Sequence, residues 1–176
     1  KGEELKDMLA DNNMLVLDGT FCIELPMGGM ETPQIINSLN MLHAKQKLIN
    51  KATGYDGGYK ISDELVTKIN NEHFDDLDAL LSCIKSEEPK GIRFEDGKIR
   101  FEGFPYTNEG PRVKAFTELA AKMVAAAKEA KRVDNKEVLE ENEKYYMRSW
   151  LVRIGFGGKD GKDTRHELLE RLAGNS

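Results

Sequence analysis

Two short stretches of the chain alternate apolar and polar residues around an Asp-Gly pair. The first runs from Met14 through Asp18-Gly19 to Glu24, the second from Ile92 through Asp96-Gly97 to Glu102. Period-two alternation predicts strands, and Asp-Gly between two such runs predicts a type I′ hairpin, whose central residues both need positive φ. A two-residue turn sets Val16 opposite Phe21 and Met14 opposite Ile23. It likewise sets Phe94 opposite Ile99 and Ile92 opposite Phe101, so one face of each hairpin is apolar. The other face of the second hairpin carries Arg93, Glu95, Lys98, Arg100 and Glu102 and is expected to meet water. In the first hairpin that face carries Leu15, Leu17, Cys22 and Glu24, which predicts partial cover on both sides.

A helical period follows each hairpin. Ile35, Leu39, Leu42 and Ile49 predict a helix over Pro33–Thr53 that stops at Gly54. Val113, Phe116, Ala120, Met123, Ala127 and Ala130 predict another over Pro111–Val133, with proline in the first turn where no amide is missed. Between the two units, Ser62–Lys85 predicts a helix capped by Ser62, stapled by Ile61 and Val66, and broken near His73-Phe74. Glu87–Gly91 reads as a linker. A helix over Lys136–Ile154, a glycine-rich loop Gly155–Gly161 and a last helix over Asp163–Ala173 complete the chain.

The two Asp-Gly turns lie 78 positions apart, and so do Pro33 and Pro111. Two explanations fit this offset: an internal duplication, and the coincidence of two common hairpin–helix units. Either way the expected fold is α+β, two antiparallel β-hairpins packed with about six helices. The expected organisation is one domain over 1–176, with the duplication adding pseudo-symmetric halves 1–88 and 89–176. Halves of about 88 residues with modest apolar content would be marginal alone, which favours a shared core.

Composition narrows the function without naming it. Of 176 residues 39% are hydrophobic and 32% charged, the formal charge is −5, and no run approaches the roughly 20 apolar residues of a membrane span. Two cysteines, Cys22 and Cys83, make no disulfide framework, which leads to the expectation of a reduced, cytoplasmic protein. Charge is uneven. Residues 1–90 hold 9 Lys+Arg against 16 Asp+Glu, net −7, whereas 91–176 hold 17 against 15, net +2.

Chemistry-bearing patterns are sparse. His43, His73 and His166 have no partner at metal-ligand spacing, and His43, beside Leu42 on an amphipathic helix, reads as a boundary residue between the apolar and polar faces. Asp75, Asp76 and Asp78 lack the glycine and closing glutamate of a calcium loop and read as helix capping. Gly161-Lys162 lacks the upstream glycine and following hydroxyl of a phosphate loop. The amides and lysines of Gly155–Gly161 keep a weaker anion-binding option open, with Asp163, as the cap of the next helix, competing for the same amides. No nucleophile, cofactor or metal set emerges, so no catalytic residue is assigned.

Asn142-Glu143-Lys144-Tyr145, then Arg148, an apolar run, Arg153, Ile154 and Gly155, and later Leu168-Leu169 and Gly174-Asn175-Ser176 form a recognisable series. It resembles the C-terminal part of small Firmicutes proteins labelled "virulence-related protein", associated with phage-like or conjugative elements. Leu17–Phe21 and Leu48–Gly54 are also similar. The resemblance implies a bacterial accessory protein of a mobile element and assigns no reaction. It draws attention to Asn142, Glu143, Lys144, Arg148 and Arg153, which read either as a binding site or as a folded-state network with the arginines on the carbonyls of Gly155–Gly158. The expected function is a non-enzymatic interaction module binding a protein partner or itself through its mixed-charge C-terminal half. The alternative is a nucleic-acid-binding accessory protein using the basic helix–loop–helix, and an enzyme ranks third. Lys144, Arg148, Arg153, Lys159, Lys162 and Arg165 are the candidate binding residues for these readings.

Overall fold

A computed structural model describes residues 14–17, 20–137 and 141–175. Strands β1 (Met14–Leu17), β2 (Thr20–Pro26), β3 (Ile92–Glu95) and β4 (Lys98–Phe101) form one antiparallel sheet in the order β1-β2-β4-β3. The hairpin registers are those expected, with Val16 opposite Phe21, Met14 opposite Ile23, Phe94 opposite Ile99 and Ile92 opposite Phe101. Asp96 (φ 54°) and Gly97 (φ 70°) adopt the positive φ of a type I′ turn, whereas Asp18-Gly19 lies outside the described residues.

The hairpins join edge to edge through β2 and β4. Ile23 pairs with Phe101, and Leu25 with Ile99. Ile23 and Phe101 are themselves 78 positions apart, so the seam sets opposite one another two residues that the sequence offset equates. The apolar face of the sheet buries Phe21, Ile23, Ile92, Ile99 and Phe101. The opposite face is ionic: Arg100 lies 2.9 Å from Glu24 and 2.8 Å from Glu95, and Arg93 pairs with Glu102. Cys22, expected to be partly covered, is buried there, and desolvation pushes its thiol up to about 11.

Helix α1 (Thr32–Thr53) ends where Gly54 turns left-handed at φ 78°, and α4 (Gly110–Glu129) begins with Pro111 in its first turn. The two pack on one another, and their stripes of Ile35, Leu39, Leu42 and Ile49 and of Val113, Phe116, Ala120, Met123 and Ala127 are buried. Helix α2 (Asp63–Asn71) is capped by Ser62, whose hydroxyl accepts from Leu65 N–H, and α3 (Leu77–Ser86) by Asp76, which accepts from Ala79 N–H. The expected break between them and the capping role for the aspartate cluster are both present. Helix α5 (Glu143–Leu151) runs into a π-helical turn, Val152–Phe156, and α6 (Lys162–Leu169) follows. One apolar cluster draws residues from all six helices and from β2, β3 and β4.

Three helix boundaries differ from the sequence reading. α4 ends at Glu129 instead of Val133, and residues 130–137 contain no helix, so the helix expected from Lys136 begins only at Glu143. The cause is a polar row on α1 at a spacing of three. Asn37 donates to the carbonyls of Ala127 (3.1 Å) and Ala130 (2.9 Å), and Asn40 to that of Val133 (3.2 Å). The Nδ1 of His43 is 2.5 Å from Asn135 O, and its Nε2 is 2.6 Å from Asp63 Oδ1. These side chains take the backbone acceptors of an extended strap and hold it along α1. The last helix also stops early, at Leu169 rather than Ala173.

Asn37 is 3% exposed, so Asn37→Ala leaves two covered carbonyls without a donor. The expected cost is about 1–3 kcal/mol, read as a lower urea midpoint with an unchanged slope. Lys47→Ala, which removes an ion pair to Glu137 from a lysine side chain 61% exposed, is expected to change stability by under about 0.5 kcal/mol.

Candidate functional site

The C-terminal residues flagged by sequence divide into two groups. Asn142 caps α5, its Oδ1 accepting from Tyr145 N–H at 3.2 Å and from Asn175 N–H at 3.0 Å. Glu143 accepts from Ala173 N–H at 2.8 Å and from Lys51 Nζ at 2.7 Å, and Lys144 N–H donates to Ala173 O at 2.9 Å. Gly174 sits at φ +99° so close to Asn142 that a Cβ there would collide with it. The Asn-Glu-Lys and Gly-Asn signatures are therefore two halves of one clasp, which fastens residues 173–175 to the head of α5 and, through Lys51, to the end of α1.

Arg165 is also committed to structure. Its guanidinium donates to the carbonyls of Phe156 and Gly158, so the glycine-rich loop turns carbonyl oxygens inward onto a cation. That polarity opposes an anion site. The expected loop-bracing arginines were Arg148 and Arg153; both are instead exposed, and Arg165 does the bracing. Asp163, expected to cap the last helix, lies inside its first turn, and Gly161 occupies the cap. Lys159 and Lys162 are exposed, and Lys144 is half-buried. Lys45, which the sequence reading missed, lies 5.8 Å from the centre of the Trp150 ring, and burial followed by the nearby Arg153 charge lowers its pKa.

His43 is no boundary residue. It is 7% exposed with both ring nitrogens engaged, which leaves it no free nitrogen to act as a base or ligand. Tyr59 is fully enclosed beside Gly91 and Gly103, where a Cβ on Gly103 would lie 2.6 Å from its ring, and desolvation holds its phenol well above its usual range. Among the described residues no group of three or more His, Cys, Asp or Glu side chains is arranged to hold a metal ion.

A concavity lies elsewhere, between α3 and β3. It is a groove of about 580 Å³ with an apolar lining from Leu81, Ile84, Pro89, Ile92 and Phe94 and a charged rim that includes Asp78, Lys85 and Glu88. Leu81, Pro89 and Phe94 are half-buried, so apolar surface remains open to solvent there. β3 is an edge strand, and its pairing uses alternate residues: Gly91 bonds Glu102 across the hairpin, whereas Lys90, on the outward side, bonds Lys60. The same alternation turns the backbone groups of Ile92 and Phe94 outward. Among the described residues neither has a backbone partner on that side. No sequence pattern pointed to this groove, because it arises from where α3 comes to rest beside the second hairpin.

Comparison of the chain with family models, curated proteins and solved structures finds no match.

The Lys51 hydrogen bond holds the Glu143 carboxyl below the ordinary carboxylate range. A folded-state pKa lowered in this way stabilises the protein at neutral pH, and the contribution is lost as the pH falls through the lowered value. Glu143→Gln is therefore expected to be less stable than the parent near about pH 7 and to approach it near about pH 3. Urea unfolding at the two pH values measures the difference.

Proposed function

We propose that the protein is a non-enzymatic protein-interaction module whose docking surface is the groove between α3 and β3. The observation that carries this reading is the coincidence of half-buried apolar side chains with edge-strand backbone that has no partner among the described residues. Main-chain hydrogen bonding at a strand edge supplies affinity, and the alternating side-chain pockets supply selectivity. The mixed-charge C-terminal half, where sequence reasoning placed the binding face, supports the role indirectly by locking the helices together. An accessory role in a mobile element, implied by the sequence resemblance, is consistent with a binding function that needs no reaction.

The chemistry of the buried side chains favours this reading over an enzyme. His43 is saturated, and the Cys22 thiol and Tyr59 phenol are desolvated with raised pKa values, away from the groove lining. General acid–base or nucleophilic work needs titratable groups that converge on an accessible cleft.

One observation favours a second reading. Among the described residues Arg148, Arg153, Lys159 and Lys162 are exposed and make no ion pair, leaving basic side chains available for a nucleic-acid backbone.

Panning short linear peptides against the immobilised full chain is expected to yield binders whose Kd rises at least about tenfold on Leu81→Glu and is unchanged on joint replacement of Lys159 and Lys162 by Ala. Circular dichroism would verify that the variants fold. The reverse pattern, with salt-sensitive retention on heparin or DNA that disappears with the lysines, would replace the groove reading with the nucleic-acid one.

A further inference from the structure

We propose that a second copy of this chain occupies the groove, β3 against β3, antiparallel about a two-fold axis. The inference rests on the docking reading above and names its partner. It starts from the backbone. The outward groups of Ile92 and Phe94 have no backbone partner among the described residues, whereas Lys90, just before them, is bridged to Lys60. Two symmetric registers are open: one pairs Ile92 with Phe94 of the second copy, and the other pairs Phe94 with Phe94 and sets Ile92 opposite the turn residue Asp96.

Side chains on the ionic face choose between the registers. If Ile92 faced Phe94 of the second copy, the axis would pass through Arg93 and set two arginines directly opposite, an unfavourable cross-strand pair. If Phe94 faces Phe94 of the second copy, Arg93 stands opposite Glu95 of the second copy, twice by symmetry. Both already pair within the chain, Arg93 with Glu102 and Glu95 with Arg100, yet the Arg93 side chain is 50% exposed and that of Glu95 36%, so each still presents charge to a second copy. On the apolar face the same register brings together the half-buried Phe94 rings beside the Leu81 walls of the two grooves. An aromatic cross-strand pair is favourable in itself, and covering Leu81, Pro89 and Phe94 removes apolar surface from water. The self-complementarity of a four-residue strand that carries one arginine, one aromatic and one glutamate in succession is what commits the groove to a copy of itself.

The test uses the full chain in sedimentation equilibrium and light scattering at concentrations up to about 500 μM. The parent is expected to show a concentration-dependent dimer. Phe94→Lys, Arg93→Glu and Glu95→Arg, each verified as folded by circular dichroism, are each expected to shift the dimer Kd upward by about tenfold or more. Mixing then discriminates. The Arg93→Glu copy carries two acids on the edge and the Glu95→Arg copy two bases, so an equimolar mixture is expected to form a heterodimer where each variant alone is monomeric. A monomeric parent over the whole range would overturn the proposal, as would a dimer indifferent to Phe94→Lys or a mixture no more associated than its components. Peptide capture that depends on Leu81 in a monomeric chain would overturn only the second copy and leave the groove as a docking site. Failure of both measurements would remove the groove reading as well.

Discussion

The structure depends on the seam between β2 and β4. A two-stranded hairpin is marginal in water, because each strand has one unpaired edge and too little apolar face to cover. Placing Ile23 against Phe101 and Leu25 against Ile99 turns two such hairpins into one sheet with a continuous apolar face. On the reverse side Arg100 ties β4 to Glu24 of β2 and to Glu95 of β3, so the same seam is braced ionically where it meets water. Only a face this wide gives α1 and α4 a common surface to pack on, and the remaining helices pack around that pair.

The second constraint is the polar row of α1. Burying Asn37, Asn40 and His43 costs desolvation that only good partners offset, and the partners here include the carbonyl of Ala127 in the last turn of α4 and those of Ala130, Val133 and Asn135 beyond the helix. Apolar contact alone would let that strap slide along the helix. Directional bonds at three successive positions fix its register and prevent α4 from continuing.

Much of this architecture could be read from residue order. The Asp-Gly pairs predicted both hairpin registers, because a two-residue I′ turn would leave no freedom in pairing, and Ser62, Gly54 and Pro111 marked helix ends through cap chemistry that acts within a few residues. What stayed hidden involves partners far apart in the chain. Asparagines at a helical spacing of three look solvent-facing until the strap that covers them is known. The helix expected from Lys136 failed because a local pattern cannot register long-range capture of carbonyls. Asn142, Glu143 and Gly174 were visible as a signature but not as a clasp, since 30 or more positions separate the bonded halves. The groove had no local signal, because its two walls come from different elements.

Five long-range bonds from side chains of α1 share nearly one separation. Asn37 reaches 90 and 93 positions ahead, Asn40 93, His43 92 and Lys51 92. On a ribosome adding about 5–20 residues per second, α1 would emerge roughly 5–18 s before the segment that saturates it. Until then the Asn37 amide has only water or transient neighbours, whereas Asn40 can already meet Asn70. The order of synthesis therefore separates α1 from its partners: the helix is made some ninety residues before the carbonyls that saturate Asn37 and His43.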